Sequence, residues 1–231
     1  MSGVLHGVGL GPGDPDLMTV RARRLIEGAR TIAYPAAEGR GSLARSIAAA
    51  FIPESCREIA IVLPMAAARG PAQAAYGAGA AEIAGALAGG DVVCLCEGDP
   101  MLYGSFMYLA ARLRGHPVRV VPGVSAPSAC AAAAGMALVA REEALTVLPA
   151  TLPEDVLAAR AAGADALAVM KVGRHLGKVR RVLEGAGLAA RAVYVERASL
   201  AGERVLPLAE ALDPAPYFST VLAVRGGDPW L

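Results

Sequence analysis

DVVCLCEGDPMLYGSFMYLAAR, residues 91–112, starts as an apolar run, turns through two acids and a proline, and continues with apolar residues at helical spacing. It predicts a strand with its turn over 91–100 and a helix over 103–114 that Gly115 closes. Tyr103, Phe106 and Tyr108 crowd behind the turn, in a chain with only six tyrosines, three phenylalanines and one tryptophan. Tyr103 and Phe106, three apart, would share one helical face.

Outward from this unit the same alternation repeats. Strands are predicted at 4–10, 31–35, 58–64 and 116–123, the second stopped by Pro35, with helices at 20–29, 42–53 and 71–90 and Thr19 as a cap for the first. Strands alternating with helices imply an α/β layered sheet with a largely parallel centre. The second half predicts strands at 142–150, 164–172, 190–199 and 218–226, helices at 153–162 and 175–186, and a Gly/Pro-rich connection at 201–217. This fits a second α/β lobe whose edge strands are antiparallel. The junction falls within 122–127, giving lobes of 1–121 and 122–231.

Composition removes several function classes. A formal charge of +1 lacks the long-range field of a general nucleic-acid binder. Residues 120–140 carry no charge, but prolines, glycines, serines and alanines make them a strand end, a turn and a buried helix rather than a membrane span. The N-terminus lacks the basic and apolar regions of a signal peptide. Cys56, Cys94, Cys96 and Cys130 show no C-x-x-C spacing, which indicates a reduced, cytoplasmic protein, with Cys94 and Cys96 as core fillers on one strand face. His6 and His116 stand apart from other metal-ligating residues, so no metal site is indicated. Only Lys171 and Lys178 are lysines among 22 cations; the rest are arginines, which suit carboxylate recognition.

HGVGLGPGDP, residues 6–15, invites a dinucleotide reading that fails in every register. The last glycine of G-x-G-x-x-G falls on Pro12, Asp14 or Asp16. Proline removes an N–H donor and the aspartates repel phosphate, so the loop suits a cationic ligand such as a sulfonium, or is a plain turn.

GVGLGPGDPDLMT (7–19), EGDPMLYGS (97–105) and VVPGVSAPSACAAAAG (120–135), in this order and at these separations, resemble the tetrapyrrole (corrin/porphyrin) methyltransferase family. VMKVG (169–173) and VERAS (195–199) extend the resemblance over most of the chain. It implies a dimer of two-lobed α/β chains, with S-adenosylmethionine folded into a cleft between the lobes. The implied cofactor contacts are Pro12, Glu97, Gly98, Asp99, Leu102, Tyr103, Ser125, Ala126, Met170 and Ala198. Ala198 departs from the glycine common there.

The residues themselves suit those roles. Gly98 lets backbone approach a ligand closely, Asp99 accepts hydrogen bonds, and Ser125 stands where a helix start offers bare N–H groups.

Within the family, the Tyr34-Pro35 strand end, GSLARSIAAAFIP (41–53), LPM (63–65) and LYGSFMYL (102–109) are most similar to the branch that methylates carbon 20 of precorrin-2. The uroporphyrinogen branch has a second glycine in place of Glu97 and Phe-Gly-Arg in place of Tyr103, Gly104 and Ser105. Arg40, Arg45 and Arg174 are the implied partners of the substrate carboxylates. A proton must leave carbon 20 after methyl transfer; Glu97, Tyr34, Tyr103, His175 and solvent are all open as recipients, and no catalytic residue is assigned.

Overall fold

The computed structural model describes residues 3–64 and 69–226. Met65, the end of the LPM motif, lies outside the described residues. The chain divides into two compact units, Met1–Ser125 and Ala126–Leu231.

The first unit holds strands β1 Leu5–Gly9, β2 Thr31–Ala37, β3 Arg57–Leu63, β4 Val92–Cys96 and β5 Val118–Val121, with helices α1 Val20–Glu27, α2 Leu43–Ala48, α3 Arg69–Leu87 and α4 Phe106–Arg112. The sheet order is β3-β2-β4-β1-β5, and every pair is parallel. Every residue of β1 and β4 is buried, as expected for central strands covered on both faces. Strand alternation sorts the side chains into two cores. Val92, Cys94 and Cys96 pack with Ile83, Leu87, Phe106 and Leu109 of α3 and α4, while Val93 and Leu95 pack with Ile26 and Ile47 of α1 and α2.

Thr19 caps α1, its hydroxyl accepting from the Ala22 N–H at 3.1 Å. Pro35 does not stop β2, which runs on to Ala37. The neighbour β4 pairs with β2 only at Ile32 and Ala33, so beyond Ala33 one side of β2 has no ladder for a missing N–H to interrupt.

Helix α4 begins at Phe106 rather than Tyr103. Tyr103 is left-handed (φ 56°), and a Cβ on Gly104 would stand 2.6 Å from the Pro100 carbonyl oxygen, so the chain turns tightly through 99–105 before the helix starts. Tyr103 and Phe106 therefore do not share a helical face. Phe106 is 1% exposed and lies against Gly7 of β1, where a Cβ would come within 2.4 Å of its ring. Tyr108 is half exposed and packs on Tyr76, ring centroids 5.1 Å apart.

The second unit holds helices α5 Ala126–Ala134, α6 Glu154–Ala161 and α7 Leu176–Gly185, and strands β6 Leu145–Pro149, β7 Ala166–Met170, β8 Val193–Glu196, β9 Arg204–Pro207 and β10 Ser219–Val224. Its sheet order is β6-β7-β10-β8-β9. β6 and β7 are parallel, whereas β10 runs antiparallel between β7 and β8, so an antiparallel strand sits at the centre as well as at the β9 edge. β9 lies inside the segment expected to be a Gly/Pro-rich connection. Its RVLP is too short to announce itself by period, and the β8 partner fixes it. α6 and α7 bury Leu157, Val179 and Leu183 against Leu167, Val169 and Val221. α5 is buried only at Pro127, Ala129 and Cys130, so the expected buried helix is a one-faced one.

Several arginines serve the interior. The Arg225 guanidinium donates to the carbonyls of Ala162 at 2.8 Å and Ala164 at 2.9 Å, and Arg180 donates to Leu208 and Ala211. Among the described residues no helix is long and apolar enough to cross a membrane.

Phe106→Ala removes the ring that fills the space over Gly7. It is expected to cost about 3–5 kcal/mol, read as a lower urea midpoint at unchanged slope.

Candidate functional site

Three strand ends of the first unit converge at the carboxyl edge of its sheet. β1 leads into Leu10–Gly13, β4 into Glu97–Pro100, and β5 into Pro122–Ser125. The two chains stay paired past β1 and β4, the parallel ladder giving way to an antiparallel bridge: Leu10 N–H donates to Cys96 O at 2.9 Å, Gly98 N–H to Gly11 O at 2.7 Å, and Gly11 N–H to Gly98 O at 3.3 Å. The third loop is drawn in by Asp99. Its Oδ1 accepts from Met101 N–H at 2.8 Å, which closes the corner, and its Oδ2 accepts from Gly123 N–H at 3.0 Å. The backbones touch here: a Cβ on Gly123 would stand 2.1 Å from Gly98 O. Gly98 itself is left-handed at φ 63°, a conformation that favours glycine.

Pro12, Glu97, Gly98, Asp99, Leu102, Tyr103 and Ser125 thus belong to one junction. Both Asp99 oxygens have backbone donors, so its first role is to hold the loops, and only its remaining lone pairs are left for a further donor. Glu97 Oε1 accepts from Ala44 N–H at 3.2 Å, tying the corner to the start of α2. Burial pushes its carboxyl above the ordinary range, and the backbone N–H groups of Glu97 and Ala44 offset this only partly. Burial likewise pushes the adjacent Cys96 thiol to about 11, which leaves no thiolate nucleophile at neutral pH.

The implied substrate arginines stand at carboxyl edges and are exposed. Arg40 lies in the turn after β2. Arg45, on α2, is already partnered: its Nε and Nη2 each lie 2.9 Å from a Glu58 oxygen, and the Tyr34 hydroxyl donates to the same carboxylate at 2.7 Å. Arg45 holds the Glu58 carboxyl below its usual range, and burial, with Glu58 close by, holds the Tyr34 phenol above its own.

In the second unit, β6, β7 and β8 end at one edge, where β10 begins. Met170 closes β7 opposite Thr220, and Ala198 lies in the turn after β8, where Arg197 N–H donates to Phe218 O at 2.8 Å. The start of β10 therefore brings Met170 and Ala198 to the same edge. Arg174 and His175 follow β7 at that edge; burial first, then Lys178 and Arg174, lower the His175 pKa.

Sequence reasoning did not single out Lys171, Tyr217 and Phe218. Lys171 is left-handed (φ 57°), and burial lowers its ammonium pKa. Tyr217 and Phe218 are exposed and edge-to-face, centroids 5.1 Å apart. Exposed adjacent aromatics after Pro216, and one of only two lysines at a strand end, were the available signals.

Residues 4–212 match the sequence profile of the Tetrapyrrole (Corrin/Porphyrin) Methylases. The chain belongs to the tetrapyrrole methylase family. It is 41% identical over 237 residues to the precorrin-2 C(20)-methyltransferase of Sinorhizobium sp, covering 96% of this chain and 97% of that protein. It is 36% identical to the cobalt-precorrin-2 C(20)-methyltransferase of Salmonella typhimurium, covering 96% of each. Its fold matches the uroporphyrin-III C-methyltransferase of Thermus thermophilus, solved with S-adenosyl homocysteine, at TM-score 0.69 and 25% identity over 96% of this chain and 92% of that one.

For a tetrapyrrole methylase this junction has two measurable consequences. Asp99→Asn leaves either Gly123 N–H or Met101 N–H facing an amide NH2 and is expected to cost about 1–3 kcal/mol in denaturant unfolding. Glu97 gives a pH signature. Because its folded pKa is raised, the folded chain binds the extra proton between the ordinary carboxylate value of 4.5 and the raised one, and stability falls as pH climbs through that window. Glu97→Gln keeps an oxygen for Ala44 N–H and abolishes the fall. In thermal unfolding the two proteins are expected to differ little near about pH 4, with the variant gaining on the parent toward neutrality.

Proposed function

We propose that the chain is an S-adenosylmethionine-dependent C-methyltransferase that converts precorrin-2 to precorrin-3A by methylating carbon 20, in cobalamin biosynthesis. The observation that carries the reading is the 41% identity to the Sinorhizobium enzyme over nearly the whole of both chains. The three-loop junction also supports it, because its backbones are in close contact and it holds the first-unit residues that the family resemblance points to.

S-adenosylmethionine, when bound, supplies a methyl group on positively charged sulfur, so the leaving group is already good. The protein's task is position. In this reading Pro12, Glu97, Gly98, Asp99, Leu102, Tyr103 and Ser125 of the first unit hold the donor, with Ala126, Met170 and Ala198 of the second. Glu97 and Asp99 put negative charge and acceptor oxygens where a sulfonium and an ammonium are bound. The N–H groups that open α5 after Ser125 suit the donor's carboxylate. Fixing donor and acceptor in line and excluding water is worth roughly 7–11 kcal/mol of barrier.

The substrate's carboxylates fall to Arg40 and Arg174, whose guanidinium groups have no partner among the described residues, ahead of Arg45, which Glu58 already holds. Tyr34 is an unfavourable proton recipient while it donates to Glu58; the Glu97 carboxylate, whose pKa burial raises, is the better placed base. A cytoplasmic homodimer completes the reading.

The test is the product. Incubation with precorrin-2 and labelled S-adenosylmethionine is expected to add one methyl mass, located at carbon 20 by NMR. A methyl elsewhere on the ring overturns the carbon-20 assignment, and turnover of cobalt-factor II alone assigns the cobalt-bearing substrate instead. In calorimetry with S-adenosylhomocysteine, Asp99→Asn is expected to weaken binding at least about tenfold, roughly 1.4 kcal/mol.

A further inference from the structure

Tyr217 and Phe218 form an exposed aromatic corner on the second unit. Tyr217 is 66% exposed, more than any other aromatic residue among those described, and Phe218 is 45% exposed. Their ring centroids are 5.1 Å apart and their planes meet at 84°. Aromatic surface left in water favours a ligand that covers it.

The backbone behind the corner is fixed on both sides. Ala215 N–H donates to Gly173 O at 3.3 Å, Val172 N–H to Ser219 O at 3.3 Å, and the Ser219 hydroxyl to Pro216 O at 2.6 Å, which ties the segment to the turn after β7. Arg197 N–H donates to Phe218 O at 2.8 Å, which ties it to the turn after β8. Met170 immediately precedes the first of these turns and Ala198 lies in the second. The rings therefore stand at the edge that carries the second unit's share of the proposed donor contacts, and methyl transfer as described above gives them no task.

Chemistry selects the occupant. Because the two planes are close to perpendicular, a flat ligand laid on one ring meets the other at its edge, and π-systems favour both contacts. An aliphatic surface gains only the area. A Cβ on Gly173 would come within 3.9 Å of the Tyr217 Cα, so Arg174, the next residue, stands beside the corner. Its guanidinium is exposed and makes no hydrogen bond or ion pair among the described residues. Asp213, the acid of the same loop, lies further along, where a Cβ on Gly177 of α7 would meet its Oδ2 at 2.8 Å. A π-corner beside an unpartnered guanidinium suits a broad flat ring with carboxylates on its rim.

We propose that Tyr217 and Phe218 are the platform on which the substrate macrocycle lies, with the ring face on Tyr217, Phe218 at its edge and a rim carboxylate on Arg174. The inference rests on the methyltransferase reading and adds to it the part of the second unit that receives the acceptor.

Carbon-13 NMR of labelled tyrosine rings tests it in the intact protein, titrated with uroporphyrin III, a flat tetrapyrrole polycarboxylate whose ring current marks a stacked side chain. Saturable upfield displacement of the Tyr217 signals, identified by their loss in Tyr217→Phe, is expected, while those of Tyr108, exposed on the first unit, stay in place. In methyl transfer to precorrin-2, the Tyr217→Ala, Phe218→Ala double variant is expected to raise KM at least about tenfold with kcat little changed, and Tyr217→Phe to keep the parent's KM. The melting curve of the double variant and its affinity for S-adenosylhomocysteine are expected to match the parent's. Tyr217 signals that move no more than those of Tyr108 overturn the proposal, as does a folded double variant with the parent's KM. A double variant that keeps that KM but sediments as a smaller species assigns the corner to a second copy of the chain instead. Should the double variant not fold, the titration of the parent decides alone. A parent that leaves precorrin-2 unmethylated overturns the methyltransferase reading, and the titration reads the platform separately.

Discussion

Backbone contact without side chains, at Gly9, Gly98 and Gly123, is the constraint from which the first unit's carboxyl edge is built. A Cβ on Gly9 would stand 2.5 Å from the Gly123 nitrogen, and one on Gly123 would overlap the Gly98 carbonyl. No rotamer relieves such a clash, since both partners are main chain. The approach has to be held as well as permitted, and Asp99 holds it, each oxygen taking an N–H from a different loop. A neutral residue there lacks two charge-assisted acceptors at once. The acidic corner is thus structural before it is chemical, and its rigidity is what makes it useful for positioning.

The distribution of arginine follows a related economy of partners. Arg180 and Arg225 end on carbonyl oxygens of the second unit, where a planar fork meets several acceptors. Arg45 is fixed by Glu58, and the Tyr34 hydroxyl completes that carboxylate's shell. Arg30, Arg40 and Arg174 are among the guanidiniums with no hydrogen bond or ion pair to the described residues, and they stand at strand ends. A near-neutral net charge therefore conceals local cationic positions that composition alone assigns to no partner.

How much of this was legible in the sequence depends on the range of the interaction. The alternation of apolar strands with helices is local, and it placed all five strands of the first sheet. The junction loops were legible because turn residues cluster at 7–16, 97–104 and 122–127 and because the set resembles a family. What escaped were features decided by distant partners. Pro35 continues a strand because β4 diverges from β2; Tyr103 leaves the helix because Gly104 is pressed on Pro100; β9 exists because β8 offers it an edge. The central position of β10 is of the same kind. An antiparallel strand at the end of the chain reads like an edge strand until the order of its neighbours is known.

Backbone strain is placed with the same selectivity. Lys171, Arg197 and Ser199 are left-handed without being glycine, at a cost of order 1–3 kcal/mol each. They follow β7 and β8 at the edge where β10 enters. Each is held by what precedes or follows it: Met170 O accepts from Ala150 N–H, Val172 N–H donates to Ser219 O, and Arg197 N–H donates to Phe218 O. The last two of those bonds end on Ser219 and Phe218, where β10 begins, so that strand fixes the turns carrying Met170 and Ala198. The antiparallel centre, unexpected from the sequence, is thereby the element on which the placement of Met170 and Ala198 depends.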